Sequence, residues 1–109
     1  MIKIYSGDVL IAKYNKETNM IESTGSDRAL PLDLFGAPFG DKVDMVKFTN
    51  WLSKRIFPEN RCGADELIKE MGLTKYEPVK MAIMTNARLA ADDYSVWWDD
   101  YEWYLWNTR

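Results

Sequence analysis

The chain has 109 residues, of which 47% are hydrophobic, 28% charged and 14% aromatic, with a formal net charge of -3. This is the size and composition of one globular domain with a small core. A single cysteine, Cys62, and no histidine exclude an internal disulfide, Cys/His zinc frameworks, histidine acid–base chemistry and any Ser-His or Cys-His catalytic pair; the acidic balance argues against direct contact with nucleic acid and suits a basic partner.

The opening MIKIYSGDVLIAKY alternates and carries charges, unlike a signal peptide. No apolar run approaches the ~18 residues of a membrane span, so a cytoplasmic protein without membrane contact is expected. Residues 2–5 and 9–14 read as strands joined at Ser6-Gly7-Asp8, where Gly7 supplies the positive φ of a tight hairpin. Strict alternation in the second strand places Val9, Ile11 and Lys13 on one face and Leu10, Ala12 and Tyr14 on the other. A polar turn at 15–19 leads to a third short strand at 20–24. A three-stranded meander over 1–24 needs a cover for its apolar face. Pro31 biases Leu30 toward extended backbone, so Leu30, Leu32, Leu34 and Phe35 read as an apolar connector.

Residues 41–57 carry helical periodicity in Met45, Phe48, Leu52 and Ile56, with Asp41 or Asp44 as cap and Pro58 as stop. A second helix is expected over 60–71, with Leu67, Ile68 and Met71 inward and Gly72 just past its end. Pro78 suits the first turn of a third helix that fades near Asn86, with Val79, Ala82 and Ile83 inward. Cys62, between Arg61 and Gly63, reads as a small, partly buried residue. Residues 94–109, YSVWWDDYEWYLWNTR, fit either a strand of period 2 or a helix, and put an aromatic surface where it can close the core or meet a protein. The fold expected is therefore α+β in a single domain, 1–109: a small N-terminal antiparallel sheet packed on a three-helix bundle (41–86), with an aromatic C-terminal tail (94–109).

Several residues invite a chemical reading. Arg55 and Arg61, on either side of Pro58, can grip a carboxylate or phosphate of a ligand, or else satisfy helix-end carbonyls or pair with Asp92 and Asp93. Trp51 is either a core anchor or a contact surface. Asp92-Asp93 and the Asp99, Asp100, Glu102 group can be considered for metal binding or acid–base work. Adjacent carboxylates more often start helices or face water, and they lack the spacing and glycine of a calcium loop. No glycine-rich phosphate loop and no kinase catalytic motif is present. No cofactor or metal site is expected.

ALPLDLF at 29–35, NWLSKRIFPENR at 50–61 and YEPVKMAIMTNARLAADDYSVWW at 76–98 together resemble the small regulatory or leader modules of HipA-like kinase (toxin–antitoxin) systems of Firmicutes. The matching positions are Leu30, Pro31, Trp51, Leu52, Arg55, Pro58, Arg61, Tyr76, Pro78, Asp93, Tyr94 and Trp97, covering about 28–98. Glu77 stands where that pattern has aspartate, and Asn86-Ala87 where it often has His-Gly. The resemblance implies a non-enzymatic, antitoxin-like protein-binding module acting beside a kinase-like partner. Its contact residues would be Trp51, Arg55, Arg61, Trp97, Trp98, Tyr101, Trp103 and Trp106. The other expectation, from the low pI of about 4.9 and the acidic aromatic tail, is a phage or mobile-element inhibitor that occupies a basic nucleic-acid-binding protein. A small enzyme is the third class, and no nucleophile–base–orienter set supports it.

Overall fold

The structure, a computed structural model, describes residues 2–37 and 40–98. Its centre is a five-stranded sheet in which every neighbouring pair is antiparallel: β1 (Ile2–Ser6), β2 (Val9–Asn15), β3 (Met20–Ser23), β4 (Lys42–Asp44) and β5 (Tyr94–Trp98), in the order β4-β3-β2-β1-β5. Four short helices accompany it: α1 (Leu32–Phe35), α2 (Met45–Ser53), α3 (Ala64–Glu70) and α4 (Pro78–Met84). The expected three-helix bundle is not what forms. The organising layer is the sheet, and α1, α2 and α4 contribute to the core that covers it.

The meander forms as its turn chemistry dictates. Ser6 pairs with Val9, and Gly7 alone of the two turn residues has positive φ, the pattern of a II′ hairpin. The next turn closes on Asn15 and Met20. There Asn19 takes a left-handed φ of 55°, and its side-chain oxygen accepts from the Tyr14 hydroxyl. Alternation fails inside β2. Ile4 opposes Ala12 and Tyr5 opposes Leu10, so Ile11 is the extra residue of a β-bulge. The bulge changes the phase of the strand, and Ile11 and Ala12 are both fully buried while Lys13 is exposed. The Ile11 carbonyl accepts instead from the backbone N–H of Thr24.

Two stretches expected as one type are another. Leu32–Phe35 is a single helical turn rather than an extended connector, entered at Pro31 and closed by Gly36 in the left-handed region. Residues 42–44 are strand rather than helix. Val43 is buried and pairs with Ile21, and Asp44 caps α2 from an extended backbone, its side chain accepting from the Lys47 N–H at 2.8 Å. Helix α2 stops at Ser53, four residues before Phe57. Its last carbonyls, Trp51 and Leu52, accept from Lys54 and Arg55 in tight final turns. Helix α3 is shorter than the 60–71 expected. Gly63 and Gly72 flank it in the left-handed region, Ile68 is buried, and Cys62 lies exposed before it. The third expected helix starts at Pro78 as read, with Ala82 and Ile83 inward.

The core is one cluster. Ile2, Ile4, Ile11, Ala12, Ile21, Val43 and Val96 from the sheet meet Leu34, Phe48, Trp51, Leu52, Ala82 and Ile83 from the helices. Full burial of a side chain such as Phe48 stabilises by roughly 1.5–3 kcal/mol over leaving it exposed.

Tyr94–Trp98 resolves the choice between strand and helix for the described start of the aromatic segment. It is extended and antiparallel to β1. Tyr101, Trp103 and Trp106, with Asp99, Asp100 and Glu102, lie outside the described residues. No described helix is long and apolar enough to cross a membrane.

Candidate functional site

Strand β5 lies at the edge of the sheet, and its outward backbone groups at 94 and 96 are engaged by other parts of the chain. Helix α4 ends in a Schellman motif: the Asn86 N–H reaches the Ile83 carbonyl and the Ala87 N–H the Ala82 carbonyl. Asn86 and Ala87 both adopt positive φ, 57° and 53°. This turn lays Asn86 against β5. The Asn86 carbonyl accepts from the Val96 N–H at 2.9 Å, and the Asn86 side-chain amide donates to the Val96 carbonyl at 3.2 Å.

Arg55 completes the closure. Leaving the end of α2, it is only 5% exposed. Its Nε donates to the Ala87 carbonyl at 2.7 Å. Its Nη1 and Nη2 donate to the two Asp92 carboxylate oxygens at 3.0 and 2.6 Å, and Nη2 also points to the Tyr94 carbonyl at 3.4 Å. The guanidinium carbon sits 4.6 Å from the centre of the Trp51 ring and 5.9 Å from that of Tyr94, an arrangement that only a planar cation fits. Asp92 also accepts from the Tyr94 N–H at 3.1 Å. Partial burial pushes the Asp92 carboxyl up, but the Arg55 hydrogen bonds and charge, with the Tyr94 N–H, outweigh it and hold it below the ordinary carboxylate value. Burial first, then the neighbouring Asp93 and Asp92 charges, raise the Tyr94 phenol. Its hydroxyl donates to the Ala29 carbonyl at 3.0 Å.

Around this buried pair opens a cleft of about 300 Å³, lined by Ala29, Leu30, Pro31, Leu32, Asp33, Trp51, Arg55, Asp92 and Tyr94. Three distant segments build it: the turn into α1, the second half of α2 and the entry to β5. Leu32 stands at the cleft with 60% of its surface exposed, whereas Leu30 and Trp51 are buried. A second cleft of about 250 Å³ shares Asp92 and Tyr94 and is completed by Gly7, Arg88, Leu89, Asp93 and Ser95. There Asp93 takes the Ser6 hydroxyl at 3.3 Å, and its carbonyl accepts the Gly7 N–H. Arg28 approaches the Asp93 carboxylate at 4.0 Å.

The residues singled out in the sequence thus separate. Trp51 and Arg55 belong to the first cleft. Of the two roles open for Arg55, its geometry is that of the ion pair with Asp92, its N–H groups turned to partners within the chain. Arg61 is exposed in the α2–α3 connection, 6.0 Å from the Phe57 ring centre, and lines neither cleft. Trp97 is 42% exposed on the sheet face opposite the helices, under the Arg88 guanidinium at 5.3 Å. Trp98, one position on, packs against the core cluster. Tyr94, Leu32 and Asp33 were not singled out as contact residues. Tyr94 entered only as the first residue of the aromatic 94–109 segment and as a matching position of the family pattern, and Leu32 only as part of the apolar connector. Among the described residues no three Cys, Asp or Glu side chains gather as a metal site.

No family model, no curated protein and no solved structure matches the chain.

Proposed function

We propose that the chain is a protein-binding module without catalytic chemistry of its own, the regulatory, antitoxin-like component of a HipA-like kinase system, and that it meets its partner through the Leu32–Trp51–Tyr94 cleft. One observation carries this reading. Leu30, Pro31, Trp51, Arg55 and Tyr94, which match the family pattern in three separate segments, line a single cleft. Asn86-Ala87 remains a departure from the pattern. Ala87 holds a left-handed φ of 53° without the conformational freedom of glycine. Arg55 has the role of a positioning residue, fixing Trp51, the Asn86-Ala87 turn and β5 around the cleft.

The test is co-expression of the tagged chain with its two neighbouring reading frames, followed by purification at low and high salt. Recovery of a kinase-like neighbour that persists at high salt, and is lost with Leu32→Asp, is the expected result. Failure to recover such a neighbour at either salt refutes the assignment.

A further inference from the structure

Between Arg55, held by Asp92 and Ala87, and Pro78 at the start of α4, the chain makes an excursion that joins neither the sheet nor either cleft. Of residues 57–76 only Ala64 and Ile68, one turn apart on α3, are buried. Both stand outside the core cluster. Among the described residues one other buried hydrophobic stands outside it, Met81 on α4, which is fully enclosed. Helix α3 has seven residues and no side-chain cap, too short to hold without packing. The backbone bonds around it close locally, from the Arg61 N–H to the Pro58 carbonyl and from the Leu73 N–H to the Ile68 carbonyl. At the base of the excursion its two ends meet. The Tyr76 hydroxyl donates to the Phe57 carbonyl at 2.8 Å, and the two rings lie edge to face with centres 6.2 Å apart.

We propose that residues 57–76 form a flap, hinged between Arg55 and Pro78 and latched by Tyr76, that opens as one unit while the sheet and both clefts stay folded, and that the closed flap is what covers Met81. A segment with few buried apolar side chains and only local hydrogen bonds opens at a lower cost than the rest of a domain. Helix α4 does not follow the flap, because Ala82 and Ile83 fix it to the core and Asn86 is bonded to β5. Met84, three positions from Met81 and so on the same side of α4, is 42% exposed with the flap closed. Opening joins the two methionines into one apolar face of unbranched, adaptable side chains, a surface that exists only in the open form. The inference does not depend on the reading of the clefts.

The test is native-state hydrogen exchange of the full chain across low urea concentrations. The amides of Leu67, Met71, Gly72 and Leu73 report the flap, and those of Ala87 and Val96 report the α4 turn and the sheet. The flap amides are expected to share one opening with a shallow urea slope, and Ala87 and Val96 to exchange more slowly with the steep slope of global unfolding. Tyr76→Phe is expected to speed the flap amides about fivefold, the scale of one net hydrogen bond. Ile21→Val, a mild change in the sheet core, is expected to speed Ala87 and Val96 about fivefold and to leave the flap amides unchanged. Oxidation by dilute hydrogen peroxide, read by mass spectrometry, tests the cover. Met81 is expected to oxidise about fivefold faster in Tyr76→Phe and at the wild-type rate in Ile21→Val, with Met84 alike in all three proteins. Flap amides with a slope as steep as that of Val96, equal acceleration of all six amides in Ile21→Val, or Met81 oxidation unchanged by Tyr76→Phe would each overturn the proposal.

Discussion

Arg55→Ala is the perturbation that most directly tests how the cleft is held. The substitution leaves the Asp92 carboxylate, 27% exposed, without its cation, and leaves the buried Ala87 carbonyl without the Nε donor. Removing one partner of a buried ion pair costs about 3–5 kcal/mol, and the partial exposure of Asp92 argues for the lower end. A chain of 109 residues has an unfolding entropy near 0.23 kcal/mol/K at about 2.1 cal/mol/K per residue, so a loss of about 3 kcal/mol lowers Tm by roughly 13 °C. Thermal and urea unfolding of wild type, Arg55→Ala, Asp92→Ala and the double variant measures this. The double variant should be clearly less destabilised than the sum of the singles, with a coupling of about 1–3 kcal/mol. Arg55→Lys keeps the charge but not the two-pronged geometry or the ring stacking, and should recover less than half of the loss. A Tm drop under about 4 °C for Arg55→Ala, or additive singles, would refute the view of this pair as the element that joins α2, the α4 turn and β5.

The same pair makes acid stability directional. Asp92 has its folded-state value depressed, so its contribution is full above the ordinary aspartate range and is lost as pH falls through the lower folded value; urea titrations at descending pH should show wild type losing stability there more steeply than Asp92→Asn. Phe48→Ala, at the centre of the core, should cost about 3–5 kcal/mol in chemical denaturation. Asp44→Ala removes the α2 cap and should cost about 1 kcal/mol in the same assay, with no change in slope. Ala87→Gly should leave Tm unchanged or raise it, because glycine relieves the left-handed backbone. Ala82→Gly, inside α4 and equally buried, should lower stability by about 1 kcal/mol or more.

The parts of this fold that were legible before the structure are those governed by neighbours in sequence. Gly7 determines its hairpin, Pro78 the start of α4, and the β-rich run at 2–5 a strand. What was hidden depends on partners far along the chain. Lys42–Asp44 has too little length to announce a strand, and becomes one because Ile21 presents an edge to Val43. The helical stripe continues past Ser53 to Ile56, but Arg55 gives up the helix for Asp92 and Ala87. The bulge at Ile11 leaves no mark in a pattern that already alternates. Mistaking three short helices for a bundle followed from the same source, since periodicity reports a buried face without saying whether a helix or a sheet covers it. Within the candidate site, Trp51 and Arg55 were visible as unusual residues. Leu32 was not, because its exposure follows from the one-turn helix at Leu32–Phe35 and not from its own type.

The pairing of β1 with β5 bears on the order of events during synthesis. Ser6 and Asp93, in contact in the finished fold, are 87 positions apart. The β1–β2–β3 meander emerges from the ribosome before β5 and can zip up locally, yet one side of β1 then stays an open hydrogen-bonding edge until β5 has been made. The α4 turn and Arg55 meet β5 and the residues just before it, not β1. A nascent chain thus carries an adhesive strand while the 87 positions from Ser6 to Asp93 are made, and loses it in the step that assembles both clefts. Protection of the β1 amides from hydrogen exchange therefore serves as a clock for cleft formation, and a chain stalled before Tyr94 is the species a chaperone would be expected to hold.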